Sequence, residues 1–282
     1  MRAELCNPFC ACCIEDRLIN QERIIMRHLF AAALLLAPLA AFAASPCKYP
    51  SPRNLQLDLA GVHEVEISVN GQNLHLTGSE SAKGFSLNGR ACASDKSALD
   101  DLQVTHRRDG DRLLIEMGGN HHSSLSLFGN SYANLEVNVQ LPAGLTVTVG
   151  VGSGDADVTG VREMKTHVGS GDLHLRHIAG AVSASVGSGD IDASDIGSLD
   201  LGSVGSGDFK GEGIRGDVRI GSIGSGDVTL RRIGGSVQAQ TLGSGDLQVH
   251  GVGGDFSLGA KGSGDVDHAD VKGKVSVPHD DD

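Results

Sequence analysis

The sequence predicts an all-β protein, a parallel β-solenoid (β-helix) of 17–19-residue rungs with an N-terminal β-rich capping region. Three observations lead to that class. The tetrapeptide Gly-Ser-Gly-Asp begins at Gly152, Gly169, Gly187, Gly205, Gly224, Gly243 and Gly262, at spacings of 17, 18, 18, 19, 19 and 19. Apolar and polar residues alternate with period 2 after each copy, as in a half-buried strand. The chain has 40 Gly and no Trp, yet 39% hydrophobic residues. That is a core, but one built with many turns and little aromatic bulk.

Within the repeats, the residue after the motif Asp is apolar: Ala156, Leu173, Ile191, Phe209, Val228, Leu247 and Val266. Two residues on stand Val158, Leu175, Ala193, Gly211, Leu230 and Val249, with His268 as the exception. A third apolar position, Val161, Ile178, Ile196, Ile214, Ile233, Val252 and Val271, precedes a second glycine corner in most copies, as at Gly216, Gly235, Gly254 and Gly273. A second alternating stretch follows, clearest at Val218 and Ile220, and at Phe256 and Leu258. One repeat is thus two short strands and two corners. It buries its apolar faces only when stacked on its neighbours, which is solenoid logic. Residues 134–282 form this repeat domain, with seven rungs spanning about 34 Å.

The N-terminal parts follow in order. Residues 1–25, with Cys6, Cys10, Cys12 and Cys13, read as an extension upstream of the true start at Met26. A zinc role lacks a second ligand pair at finger spacing. Met26, Arg27 and His28 precede the apolar run 29–39 and a small-x-small site ending at Ala43, so residues 26–43 read as a signal peptide. The run is too short for a typical membrane span. Export to the periplasm, cell surface or extracellular space leaves Cys47 and Cys92 as an even pair, which predicts one disulfide. Residues 44–133 form the β-rich capping region. Its alternating stretches around Asn70-Gly71 are expected to form a hairpin-like turn, and residues 94–102 a short helix capped by Ser94.

The stretch Leu141-Pro-Ala-Gly-Leu-Thr-Val-Thr-Val-Gly-Val-Gly-Ser-Gly-Asp155, followed by the repeated Gly-Ser-Gly-Asp-apolar-x-apolar units, resembles the bacterial putative-adhesin family of β-strand-repeat proteins. That family is related to auto-transporter adhesin head (GIN) domains. The resemblance covers residues 134–277 and implies a β-helical exported protein, with no catalytic residues to carry over. Lys261 ahead of the last motif and His268 within it depart from the pattern, as suits a terminal rung.

The motif aspartates Asp155, Asp172, Asp190, Asp208, Asp227, Asp246 and Asp265 are expected to stack in one column. Each would accept backbone N–H groups in its own turn, with flanking glycines at positive φ. Cation bridging of the column, calcium included, is the alternative, because stacked carboxylates repel. The outward positions Asp157, His174, Asp192, Lys210, Thr229, Gln248 and Asp267, and two residues further on Thr159, Arg176, Ser194, Glu212, Arg231, His250 and Ala269, mix signs as a solvated face does, and with His167 and His177 they present no convergent acid/base set. The His121-His122 pair reads as a solvated loop. The glycine motif opens strands rather than helices, which excludes a phosphate loop. The charge of −12 argues against nucleic acid.

The expected protein is therefore a non-enzymatic, adhesin-like module without cofactors or catalytic residues. Its partner would be a protein or polysaccharide of the cell surface or envelope. The alternative is a cell-envelope polysaccharide-binding or polysaccharide-processing protein.

Overall fold

The computed structural model describes residues 47–118 and 132–278. The predicted extension at 1–25, the signal peptide at 26–43 and the His121-His122 loop lie outside the described residues. Seven strands precede the repeats: β1 (Tyr49–Leu57), β2 (Glu64–Val69), β3 (Asn73–Ser79), β4 (Phe85–Ala93), β5 (Val104–Asp109), β6 (Arg112–Met117) and β7 (Ala133–Pro142). The repeats contribute β8 (Thr146–Val151) and β9 (Asp155–Thr159), β10 (Glu163–Val168) and β11 (Asp172–Arg176), then β12 (Ala181–Val186) and β13 (Asp190–Ser194). They continue with β14 (Ser198–Val204) and β15 (Phe209–Ile214), β16 (Val218–Ile223) and β17 (Val228–Ile233), and β18 (Val237–Leu242) and β19 (Leu247–Val252). β20 (Phe256–Lys261), β21 (Val266–Val271) and β22 (Val275–Ser276) end the series.

The predicted parallel β-solenoid is the observed architecture. Odd-numbered strands β9 to β21 stack in a first sheet and even-numbered strands β8 to β22 in a second, so each Gly-Ser-Gly-Asp corner carries the chain from one sheet to the other. Neighbouring repeats pair in parallel with equivalent residues opposite one another, as Leu173 with Ala156 and Ile191, and Phe209 with Val228. Register is fixed because a one-residue slip would turn every apolar side chain outward. The inward column Leu173, Ile191, Phe209, Val228 and Leu247 is at most 1% exposed. Burying each such side chain is worth about 1.5–3 kcal/mol. A bulge sets Gly202 aside between Leu201 and Ser203, which adds one residue to the rung without disturbing the inward column.

The motif glycines have a different physical cause from the one expected. None of them has positive φ. They are required because successive corners stack backbone on backbone. A Cβ at Gly171, Gly189, Gly207, Gly226, Gly245 or Gly264 would lie 1.8–1.9 Å from the carbonyl oxygen of the same glycine one rung earlier. The left-handed position lies instead at the second corner, five residues after each motif Asp: Gly160, His177, Asp195, Gly213, Arg232, Gly251 and Asp270, with φ between 54° and 73°. Local sequence does not single this column out, since glycine fills only part of it.

The Asn70-Gly71 turn is not a hairpin. β2 lies in the second sheet beside β8, and β3 lies in the first beside β9, both parallel. Asn70, Gly71 and Gln72 therefore make a corner of the solenoid type: Gly152 N donates to Val69 O at 2.8 Å and Asp155 N to Gln72 O at 3.2 Å. β6 and β7 form the next rung outward, parallel to β2 and β3. Antiparallel strands then close this end, β4 on β7 and β1 on β4 in the first sheet, and β5 on β6 in the second. Pro50 and Pro52 on the outermost strand β1 lack the N–H that a further strand would need. The expected helix at 94–102 is a single 3-10 turn, Ser97–Leu99, preceded by Lys96 without a side-chain cap. So short a segment cannot repay helix nucleation, and Arg53 anchors it by donating to Leu99 O and Leu102 O.

The predicted disulfide joins Cys47 to Cys92 with Cα atoms 5.7 Å apart, tying the start of the described chain to the end of β4. At the opposite end the ring of His268 packs 5.7 Å from that of Phe256, a core side chain of the last long strand of the second sheet. No helix among the described residues is long and apolar enough to cross a membrane.

Candidate functional site: corner columns and the outer face of the first sheet

The motif aspartates do stack, but not as isolated turns. Asp190 Oδ1 accepts Asp208 N at 2.9 Å, Asp208 Oδ1 accepts Asp227 N at 3.1 Å, Asp227 Oδ1 accepts Asp246 N at 2.9 Å, and Asp246 Oδ1 accepts Asp265 N at 3.2 Å. Each of these four carboxylates thus satisfies the next rung's backbone, which corrects for them the expectation of a partner in the same turn. Asp155 N and Asp190 N donate to backbone carbonyls instead, Gln72 O and Gly171 O. The column is a structural seam that satisfies N–H groups left over at the corner. Among the described residues no group of three or more His, Cys, Asp or Glu side chains is placed to hold a metal ion.

A second seam runs along the opposite corner. Asp217 Oδ1 accepts Ser236 N, Ser236 Oγ accepts Asp255 N, and Asp255 Oδ1 accepts Lys274 N, at 2.8–3.1 Å. The signal for it was a polar residue after Gly216, Gly235 and Gly254 in successive repeats. Arg215 reinforces the same corner, donating from Nη2 to Ile178 O and Ala179 O and from Nη1 to Asp195 O, two rungs and one rung back.

With both corners occupied by backbone pairing, ligand chemistry is left to the sheet faces. On the outer face of the second sheet, Thr148 Oγ1 donates to Glu64 Oε1 at 2.7 Å, with Lys165 Nζ 3.4 Å from that oxygen and Arg112 Nε 3.6 Å from Oε2. The Thr148 hydroxyl, followed by the Lys165 and Arg112 charges, holds the Glu64 carboxyl below the usual carboxylate range against the opposing effect of burial.

The outer face of the first sheet carries two ladders. One runs His75, Asp157, His174, Asp192, Lys210, Thr229 and Gln248; the other runs Thr77, Thr159, Arg176, Ser194, Glu212, Arg231 and His250. Several of these side chains meet across strands: His75 Nδ1 lies 3.1 Å from an Asp157 carboxylate oxygen, Arg176 pairs with Asp157 at 2.7 Å, and His174 Nδ1 lies 3.5 Å from an Asp192 oxygen. Glu212 is matched by Arg232. From β11 to β17 this face holds an open groove of about 470 Å³. It brings together eight of the predicted outward residues, His174, Arg176, Asp192, Ser194, Lys210, Glu212, Thr229 and Arg231. It does not include His167, which lies on the second sheet and shares a 2.8 Å hydrogen bond with Ser185. His177 also lies outside it, 3.4 Å from Asp195 at the second corner.

The molecule thus belongs to the class of two-sheet parallel β-solenoids with polar outer faces and backbone-stacked glycine corners. More specifically, the chain belongs to the Toastrack DUF4097 family, whose model matches residues 62–280. None of the curated proteins matches it. Among solved structures it is similar to a "putative lipid binding protein" from Parabacteroides distasonis, with 17% identity, 81% of this chain and 97% of that chain covered, and a TM-score of 0.45. It is also similar to a "putative adhesin" from Parabacteroides merdae, with 13% identity, 82% and 94% coverage, and a TM-score of 0.44. A "putative adhesin" from Bacteroides fragilis matches at 14% identity, with 83% and 99% coverage and a TM-score of 0.34.

Proposed function

We propose that the chain is an exported, non-enzymatic binding module that acts in the periplasm or at the cell surface. In this reading it is adhesin-like and akin to auto-transporter adhesin heads. The observation that carries the reading is the division of labour between corners and faces. The corners are occupied by backbone stacking, while the faces offer regular polar ladders to a partner. The Cys47–Cys92 disulfide favours an oxidising compartment, and the repeat of like surfaces along the stack favours an extended, repetitive ligand.

Polysaccharide binding is the second reading, and the groove on the first sheet favours it. Processing is disfavoured by the pairing there, since Asp192 and Glu212 face His174 and Arg232. Neither carboxylate stands alone in an apolar setting of the kind a general acid occupies. The test is an array of envelope glycans and surface proteins probed with the full chain. Saturable retention on a defined subset is the expected result. Uniformly blank spots would remove the binding-module reading.

A further inference from the structure

We propose that the groove over β11–β17 is a binding site for an acidic polysaccharide, a linear glycan bearing carboxylate, sulfate or phosphate groups; this deepens the binding-module reading and rests on it. Three cations border the groove, Arg176, Lys210 and Arg231. Arg176 is held by Asp157, but Lys210 and Arg231 make no ion pair or hydrogen bond among the described residues, although both are exposed and on adjacent strands. In a chain of net charge −12, the groove lining carries these three cations against two carboxylates, Asp192 opposite Lys210 and Glu212 opposite Arg231, a local excess of positive charge. An anionic group is the partner that would satisfy it.

The rest of the lining narrows the ligand. Ser194 and Thr229, half-buried between the charges, and the carboxylate of Asp192 offer hydrogen bonds suited to sugar hydroxyls. The groove lining includes no Trp, Tyr or Phe to stack on a neutral sugar, and Phe209 is fully buried beneath it. Arg176 and Arg231 lie three strands apart, about 14 Å at sheet spacing, so one extended chain crossing the strands would meet both. A bilayer fits less well. The carboxylates of Asp192 and Glu212 would oppose a uniformly anionic plane, and Tyr132 and Val275, the exposed large apolar residues among those described, lie outside the groove.

The experiment measures binding of the full chain to a fluorescent polyuronate oligosaccharide, with dextran of matched length and phosphatidylcholine/phosphatidylglycerol vesicles as parallel arms. Variants Lys210→Glu and Arg231→Glu are compared with Arg219→Glu, which reverses a cation on the outer face of the second sheet. The expected result is salt-sensitive polyuronate binding, weakened at least about fivefold by each groove variant and unchanged by Arg219→Glu. Dextran and vesicles should bind no more tightly than buffer controls, and melting temperatures of the three variants should agree. Equal weakening by Arg219→Glu, or no polyuronate binding, overturns the proposal. Vesicle binding lost with the groove variants replaces it with a headgroup site. If the array finds ligands that the groove variants still bind, the groove assignment fails alone; if it finds none, the binding-module reading fails with it.

Discussion

Replacing Gly226 with Ala tests the stacking that defines the corners. Its added Cβ would sit 1.8 Å from Gly207 O, whereas real contacts stay above 3.0 Å, so the corner must move by about 1.2 Å. Three hydrogen bonds cross this point: Ser225 N to Gly205 O at 2.8 Å, Gly226 N to Gly205 O at 3.0 Å, and Asp227 N to Asp208 Oδ1 at 3.1 Å. A shift of that size takes each beyond hydrogen-bonding distance. At about 1 kcal/mol net apiece the loss is about 3 kcal/mol, before any penalty for burying unpaired groups. For a chain of this size that corresponds to a fall in Tm of about 6–12 °C. The control is Gly150→Ala in β8, where an added Cβ meets nothing within 4 Å and φ is not positive. It should leave Tm unchanged or slightly raised. Thermal unfolding by circular dichroism decides the matter, and equal melting temperatures for the two variants would refute the argument.

Asp208→Asn keeps an acceptor for Asp227 N and should cost under about 1 kcal/mol, whereas Asp208→Ala should cost about 1–2 kcal/mol. Neither the wild type nor the Asn variant should melt differently in millimolar Ca²⁺ and in EDTA; a wild-type rise that the Asn variant lacks would make the seam a cation site. Gly251→Ala, at the left-handed second corner where an added Cβ would meet only ordinary contacts with the Arg232 backbone at 3.5 and 3.7 Å, should cost about 1 kcal/mol from backbone strain alone, as read by urea unfolding. The folded pKa of Glu64 is depressed, so its stabilisation is present above the unfolded carboxylate pKa and is lost as pH falls through the folded value. Glu64→Gln should therefore be least stable relative to wild type near neutrality and converge with it in acid; a constant difference at all pH values contradicts that linkage. Reducing Cys47–Cys92, which closes a separation of 45 residues, should remove about 4 kcal/mol in the chain-entropy account, seen as a lower Tm in dithiothreitol.

The rungs were legible because Gly-Ser-Gly-Asp and the apolar columns recur together at a nearly constant period of 17–19 residues. Ile214 and Ile233 are buried and Thr229 faces outward, as the period-2 reading required. Asn70-Gly71 misled because the same dipeptide suits a hairpin and a corner, and its role is set by β8 and β9, strands that follow it by some 80 residues. The motif aspartates misled for a related reason. A local turn supplies an obvious donor, but the stacked backbone brings the next rung's N–H within reach, and nothing short of the register reveals that. The groove residues were visible as a mixed outward pattern. What the pattern could not contain was the cross-strand pairing that consumes Asp157 and Glu212 and leaves Lys210 and Arg231 unmatched.

Isothermal titration calorimetry with a glycan retained on the array tests in one record whether the faces bind a ligand and whether they leave it untransformed. Saturable heat pulses, each returning to the baseline, are the expected result for a binding module. A sustained deflection after each injection, accompanied by new chain ends in the recovered glycan, would mean turnover and would contradict it.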